Sequence, residues 1–176
     1  MRHVLLNLTA SLDGFIADTS DGVDWLAEMP AEIPEDYLRL IDTVDTLIMG
    51  RKTYEISLAL PGGTEVFEGQ RVIVFTSARD LEPRAGVEFV HEDPVAFTAA
   101  LRESEGGTIW LFGGGQLATA LSDAGLVDEY LIAVQPVLLG DGVPLWRSPH
   151  GRTQLELVHA NEWRGGVVEL RYRRKA

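Results

Sequence analysis

Short apolar segments alternate with helix-like segments along most of the chain, and this alternation restricts the fold more than any other feature. The apolar runs have the length of buried strands, and the segments between them carry helical spacing or helix-start signals. The predicted strands are 4–10, 46–49, 71–75, 87–90, 108–112 and 129–139, and the predicted helices are 35–44, 53–60, 95–102 and 117–124. Two further strands, 155–158 and 167–172, follow each other without a helix. The order predicts a three-layer α/β fold: a mostly parallel, twisted sheet with helices on both faces and a C-terminal antiparallel hairpin.

Composition favours one soluble domain over residues 1–176 and excludes several classes of protein. The chain has no cysteine, which rules out disulfides and thiolate catalysis and predicts a reducing, cytoplasmic location. No apolar run approaches the roughly 20 residues that span a bilayer. The net charge of −12 repels nucleic acid and anionic membranes, so neither is expected as a partner. The four histidines are scattered without metal-ligand spacing, and no metal site is predicted.

The strongest binding motif is a buried strand that enters three glycines, with a helix directly after them. Glycines let a ligand approach the main chain closely, and the free N–H groups at the helix start form an anion site. The glycines are Gly113, Gly114 and Gly115, followed by Gln116 and Leu117. A diphosphate would fit this arrangement. A tight turn that binds nothing is the alternative.

A second motif, 49–55 (MGRKTYE), also runs from a buried strand through a glycine into a helix start. Here Gly50 is followed by two cations and a hydroxyl: Arg51, Lys52 and Thr53. Arginine binds phosphate with a fixed fork of donors, and lysine adds a point charge. The alternative is a solvated charge pair with Thr53 as the N-cap of the helix.

The next predicted strand ends in Thr76 and Ser77, which could complete a phosphate pocket. In open α/β sheets, ligands bind beyond the carboxyl ends of the strands. Two separated phosphate sites at one edge suit a dinucleotide with an additional ribose phosphate. The sequence therefore predicts NADPH as the cofactor.

Four segments in this order resemble the dihydrofolate-reductase-like superfamily. They are 12–17 (LDGFIA), 49–55 (MGRKTYE), Thr76-Ser77 and 112–121 (FGGGQLATAL). The resemblance is to the branch of the riboflavin biosynthesis reductase, the C-terminal domain of the bifunctional deaminase-reductase, here as a stand-alone member. It covers nearly the whole chain and implies the dihydrofolate-reductase-like fold. It also implies a homodimer.

The resemblance assigns roles to individual residues. Arg51, Lys52 and Thr53 would hold the ribose phosphate and diphosphate, with Thr76 and Ser77. The residues expected to border the cofactor elsewhere are Gly50 and 113–117 at the diphosphate and Thr9, Ile16 and Ala17 at the nicotinamide. The predicted substrate pocket contains Asn7, Trp25, Asp36 and Leu40. Asp36 would be the catalytic acid, although helix starts favour acidic residues for structural reasons alone.

The function expected from these residues is NADPH-dependent hydride transfer to a small planar heterocycle. A pterin or a pyrimidine such as 5-amino-6-(5-phosphoribosylamino)uracil is the expected substrate type. The proton would come from a side-chain acid or from an ordered water. Two other classes stay open: a nucleotide-binding protein without catalysis, and a structural domain without dinucleotide affinity.

Overall fold

The chain folds around an eight-stranded sheet, with helices packed on both of its faces. The computed structural model describes residues 1–26, 35–60, 63, 67–147 and 151–175, apart from the side chain of residue 36. Its strands are β1 (Val4–Ser11), β2 (Phe15–Ala17), β3 (Val44–Gly50), β4 (Arg71–Phe75), β5 (Val87–Val90), β6 (Thr108–Gly113), β7 (Glu129–Gln135), β8 (Val143–Pro144), β9 (Leu155–Glu162) and β10 (Val168–Arg174). Its helices are α1 (Glu35–Ile41), α2 (Arg51–Ala59), α3 (Pro94–Arg102) and α4 (Gly115–Asp123).

The strand order in the sheet is β5-β4-β3-β6-β1-β7-β10-β9. The first six strands of this order, from β5 to β7, run parallel to one another. Strand β10 pairs antiparallel with both β7 and β9. This confirms the predicted architecture, including the C-terminal hairpin at one edge. The carboxyl ends of β1, β3, β4 and β6 therefore lie along one edge of the sheet.

Both faces of the parallel strands are buried, which explains why these strands read as continuous apolar runs. On one face, Ile48 and Ile73 pack in the same core as Leu101 of α3 and Leu121 of α4. On the other face, a second core contains Leu47, Met49, Val72, Val74 and Tyr54 of α2. Alternate residues of each strand supply the two cores, as the pleat of a strand requires.

Most element boundaries differ by one to four residues from those predicted by the sequence; for example, β9 extends to Glu162 rather than to residue 158, and α4 begins at Gly115 rather than at residue 117. Helix α1 ends at Ile41 rather than at residue 44, because Val44 is the first residue of β3 and is buried there. Strand β7 ends at Gln135, since Pro136 cannot donate to a strand ladder. Helix α2 begins at Arg51, directly after β3. None of the helices in the described ranges is long and apolar enough to cross a membrane.

A small two-stranded sheet, β2 with β8, was not predicted. Strands of three and two residues have too few side chains for a detectable pattern. They are held by tertiary contacts instead: the amide of Leu145 donates to the carbonyl of Gly14 at 2.9 Å. The carboxylate of Asp13 accepts from the amide of Gly140 at 2.7 Å, which ties the turn before β2 to the loop before β8.

The amino edge of the sheet carries a buried carboxylate, Glu129, at the start of β7. It accepts hydrogen bonds from Arg171 of β10, and His3 Nε2 lies 3.1 Å from its Oε2 atom. Burial alone would raise the pKa of Glu129, but the hydrogen bonds and charges of His3 and Arg171 outweigh it and lower the pKa to about 2. The carboxylate is therefore ionised in the folded protein.

Glu129 makes stability dependent on pH in the acid range. Because its pKa is lowered on folding, its contribution is present above about pH 4.5 and is lost as the pH falls toward 2. We expect Glu129→Gln to lower the free energy of unfolding at pH 7 by up to about 3 kcal/mol, and to flatten the acid limb of the stability curve. Urea unfolding of both proteins at a series of pH values measures this.

Glu156→Gln serves as the control, because Glu156 forms an exposed ion pair with Arg173. Such pairs contribute less than about 1 kcal/mol. An acid limb that is equally steep in wild type and Glu129→Gln would contradict the assignment.

Candidate active site

The two glycine-containing motifs meet at the carboxyl edge of the sheet. Strands β3 and β6 are neighbours, and their register aligns Met49 with Gly113. A β-carbon on Gly50 would lie 3.9 Å from the backbone nitrogen of Gly114. A β-carbon on Gly114 would lie 3.2 Å from Oγ1 of Thr53 and 3.6 Å from Cδ1 of Ile16. The glycines thus leave the backbone uncovered between α2 on one side and β2 on the other, and this strip of uncovered backbone is called the cleft below.

Two helices begin at this cleft without a capping side chain. The N-caps of α2 and α4 are Gly50 and Gly114, and neither first turn contains an acidic residue. Helix α3 differs, because the carboxylate of Asp93 accepts from the amide of Ala96 at 2.9 Å. Since the first N–H groups of a helix have no intrahelical acceptor, both starts can bind an anion. The alternative prediction that Thr53 caps α2 was wrong, because β3 continues to Gly50 and the helix starts two residues earlier.

The cations after β3 lie on the surface beside the cleft. Arg51 forms an ion pair with Glu55 at 2.7 Å, and Lys52 forms one with Asp21 at 2.6 Å. The side chains of Arg51 and Lys52 are 44% and 68% exposed, respectively. Exposed ion pairs contribute little free energy, so a phosphate group can compete with these carboxylates.

Thr76 and Ser77 lie one strand further along the same edge. Phe75 pairs with Gly50, so these two residues continue β4 beyond the point where α2 begins. The hydroxyl of Thr76 accepts from the amide of Ala78 at 3.1 Å, and the carbonyl of Thr76 lies 2.9 Å from His91 Nδ1. Ser77 is exposed. The pair forms a turn beside the cations, which is compatible with the predicted phosphate pocket.

The start of α4 is fixed by close backbone packing. A β-carbon on Gly115 would lie 2.2 Å from the carbonyl oxygen of Pro144 in β8, so glycine is required there. Leu117 is buried in the core, and Gln116 is exposed. Leu117 can therefore face a ligand only through its backbone. The first helical hydrogen bond runs from Ala118 to Gly114, at 3.0 Å.

The residues predicted to border the nicotinamide come from β1 and β2. Thr9 is partly exposed near the end of β1, and Ile16 reaches the cleft as described above. Ala17 is buried, and its carbonyl oxygen would lie 2.2 Å from a β-carbon on Gly142. Gly142 has a φ of +154°, a conformation that favours glycine. The β2–β8 pair thus places Ile16 beside Gly114.

The predicted substrate residues lie on β1, on α1 and in the loop after β2. Asn7 is buried, and its Nδ2 atom donates to the hydroxyl of Tyr37 on α1 at 3.2 Å. Leu40 is half-buried on the same helix. Trp25 donates from Nε1 to the carbonyl of Gly22 at 3.2 Å. Both residues lie in the loop after β2, which also contains Asp21, the ion-pair partner of Lys52. The side chain of Asp36 lies outside the described residues.

Three residues near Asn7 were missed by the sequence analysis: Tyr37, Trp163 and Glu169. The rings of Tyr37 and Trp163 meet edge to face with centroids 5.7 Å apart. Burial raises the pKa of Tyr37, the hydrogen bond from Asn7 lowers it, and the charge of Glu169 raises it again. Trp163 and Glu169 lie on or beside the C-terminal hairpin, and only tertiary contacts show that they belong to this region. Among the described residues, no group of three His, Asp or Glu side chains could hold a metal ion.

Comparison with known proteins agrees with the fold. The architecture is that of dihydrofolate-reductase-like proteins, which defines the chain as an α/β protein with that fold. A profile of the RibD C-terminal domain matches residues 2–168, and the chain belongs to that family.

Individual relatives support this placement. The uncharacterized protein YwjB of Bacillus subtilis (strain 168) is 37% identical over 173 residues, with 97% of each chain covered. The crystal structure of a protein from Shewanella sp. PV-4, described as a riboflavin biosynthesis protein, is 25% identical. It superimposes with a TM-score of 0.82 over the whole of both chains. A dihydrofolate reductase from Enterococcus faecalis, complexed with NADP(H) and RAB-propyl, shares the fold with 19% identity and a TM-score of 0.68. That comparison covers 99% of this chain and 97% of the reductase.

Proposed function

We propose that this protein is a reductase that binds NADPH and transfers its hydride to a small planar heterocycle, such as a pterin or an aminopyrimidine. One observation carries the proposal. Two helix starts without capping side chains, α2 and α4, border a cleft that glycines keep open, with two exposed cations beside it. This combination suits a ligand with several separated phosphate groups.

The residues present fit NADPH at this cleft. The amides of residues 115–117 would receive the diphosphate, and Gly50, Gly113 and Gly114 leave room for its close approach. Arg51 and Lys52 would hold the ribose phosphate with Thr53, Thr76 and Ser77. Thr9, Ile16 and Ala17 would border the nicotinamide. When bound, the cofactor supplies the hydride.

The remaining residues orient the heterocycle and keep water from it. Asn7, Leu40 and Trp25 form the proposed pocket, and Asp36 is the proposed acid that protonates the substrate. The cysteine-free composition agrees with a reducing compartment, and we propose that the enzyme works in the cytoplasm.

Calorimetric titration with NADPH, followed by turnover assays, tests the function. We expect saturable NADPH binding and oxidation of NADPH in the presence of at least one member of a panel of pterins and aminopyrimidines. Binding without oxidation in every case would favour the alternative of a non-catalytic NADP(H)-binding protein. Absence of binding would exclude both.

We also propose that the protein is a homodimer that uses the β9 edge of the sheet. Within the described ranges, strand β9 has a neighbouring strand on one side only, and its apolar side chains are exposed, Leu157 by 53% and Val158 by 46%. Leu155 on the same strand and Val168 on β10 are also exposed. An exposed apolar edge strand is an unfavourable surface for a monomer, and a second copy would cover it.

The Leu157→Lys variant tests this interface. We expect wild type to have twice the monomer mass of 19.3 kDa in light scattering, and the variant to have the monomer mass. Glu88→Lys, on the opposite edge strand β5, is the control and should leave the mass unchanged. Equal masses for wild type and Leu157→Lys would exclude β9 as the interface.

A further inference from the structure

We propose that Glu169 positions the substrate: the heterocycle lies over Ala133, between Thr9 and Glu169, and donates adjacent N–H groups to the Glu169 carboxylate. This inference rests on the proposed function, because it names the polar anchor of the same pocket. It also restricts the substrate to heterocycles that present two neighbouring N–H donors, as a protonated aminopyrimidine does.

The sheet register places Glu169 on the same face of the sheet as Thr9 and Ala133. Thr9 of β1 pairs with Ala133 of β7, and Ala133 pairs with Glu169 of β10. Residues in register on neighbouring strands point to the same face of a sheet. The opposite face carries Leu8 and Ile132, which pack on the core beneath α3 and α4. Thr9, Ala133 and Glu169 therefore share the face that Asn7 and α1 occupy.

The spacing of this row fits a ring system. Neighbouring strands lie about 4.8 Å apart, so the backbones at Thr9 and Glu169 are separated by about 10 Å. Ala133 between them has only a methyl side chain and is partly exposed. A planar ring can rest on this methyl group with one end toward the nicotinamide side and the other toward Glu169.

The surrounding side chains form walls with defined polarity. Tyr37 and Trp163 contribute aromatic surface, and Asn7 is bound to the hydroxyl of Tyr37. The indole N–H of Trp163 is buried without a hydrogen-bond acceptor among the described residues. A ligand with a carbonyl or ring nitrogen beside its N–H groups could accept from this donor, and it could donate to Glu169.

Glu169 is only 4% exposed, and a buried carboxylate is costly unless it accepts hydrogen bonds. It takes part in a polar or electrostatic interaction within the protein, and its charge raises the pKa of the nearby Tyr37. A carboxylate has about four lone-pair sites, so it can accept from a ligand as well.

Binding of 2,4-diaminopyrimidine to the NADPH-saturated protein tests the proposal, with unsubstituted pyrimidine as the probe that lacks N–H donors. We expect Glu169→Gln to bind 2,4-diaminopyrimidine at least tenfold more weakly than wild type in calorimetry, while its NADPH affinity stays the same. We also expect wild-type affinity to rise as the pH falls through the pKa of the probe, and this dependence to be lost in the variant. Glu88→Gln, an exposed carboxylate on β5, is the matched control and should behave as wild type.

The outcomes separate this inference from the proposed function, because NADPH binding is measured by itself. If Glu169→Gln unfolds, Glu169→Asp replaces it. That variant should weaken diaminopyrimidine binding while keeping the pH dependence. The inference is overturned if the folded variant binds 2,4-diaminopyrimidine as tightly as wild type. It is also overturned if wild type binds 2,4-diaminopyrimidine and unsubstituted pyrimidine with equal affinity, or binds neither of them. NADPH that fails to bind would overturn the proposed function, and the same comparison on the cofactor-free protein would still decide the role of Glu169.

Discussion

Gly114→Val is expected to weaken NADPH binding at least 100-fold, which corresponds to about 2.7 kcal/mol. A β-carbon at this position lies 3.2 Å from Oγ1 of Thr53 and 3.6 Å from Cδ1 of Ile16, so the valine methyl groups would occupy the cleft itself. The φ of Gly114 is −85°, an angle that other residues adopt readily. The change should therefore act on the cleft more than on the fold. Calorimetric titration with NADPH gives the affinity, and thermal unfolding reports on the fold.

Gly151→Val is the matched control for this substitution. Gly151 is exposed, and a β-carbon added to it would have no other atom within 4 Å. The same side chain there should therefore change neither affinity nor stability. A Gly114→Val protein that unfolds at the wild-type temperature and binds NADPH with wild-type affinity would show that the cofactor does not use this cleft.

Arg51→Ala should lower NADPH affinity by about 1–3 kcal/mol, or roughly 5- to 150-fold, while NADH affinity changes little. The reason is chemical: the two cofactors differ by the ribose phosphate, and a guanidinium hydrogen-bonds phosphate in a forked geometry. Arg51 is on the surface and paired with Glu55, so its removal should not disturb the core. Parallel titrations of wild type and variant with both cofactors measure the effect.

Two further variants sharpen this comparison. Arg71→Ala removes an arginine of similar exposure at the start of β4, which forms an ion pair with Glu88 of β5. This variant should change neither the NADPH affinity nor the NADH affinity. Glu55→Gln removes the carboxylate that competes with the phosphate for Arg51, and it should maintain or increase NADPH affinity. If Arg51→Ala weakened NADPH and NADH to the same extent, the residue would not contact the ribose phosphate.

The two substitutions test different parts of one site. Gly114 would leave room for the proposed cofactor between β3 and β6, whereas Arg51 would distinguish the phosphorylated from the unphosphorylated cofactor. A loss of all dinucleotide binding in Gly114→Val, together with a selective loss in Arg51→Ala, would separate the cleft from the specificity site. Glu169 is proposed to contact the substrate and not the dinucleotide, so its variants should retain cofactor affinity.

Much of the candidate cofactor site could be located from the sequence because its signals are local. Glycines after an apolar strand, followed at once by a helix, mark a place where the backbone must stay uncovered. The cations of 51–52 follow the second strand directly, and the parallel order of the strands brings both motifs to one edge. The structure adds the reason why the two motifs meet: β3 and β6 are neighbouring strands in the sheet. They are distant in the chain, because 57 residues separate Arg51, directly after β3, from Thr108 at the start of β6.

The substrate side of the pocket could not be predicted in the same way. Val168 to Arg174 alternates apolar with charged residues, and that pattern predicts an edge strand whose charges face water. The structure instead buries Glu169, because β10 lies between β7 and β9, and Tyr37 of α1 packs over the same face. No local pattern encodes the packing of α1 over this face, because Tyr37 is more than 100 residues away from Glu169 in the chain.

The sequence by itself determined the order of the longer strands and helices, the parallel sheet with its terminal hairpin, and the glycine and arginine motifs of the candidate cofactor cleft. These follow from side-chain periodicity and from backbone freedom, which act over a few residues. Only the tertiary structure decided the pairing of β2 with β8, the start of α2 at Arg51 and the burial of Glu169. These depend on which strands become neighbours and on which helix covers them, and such contacts are set by packing across the whole sheet.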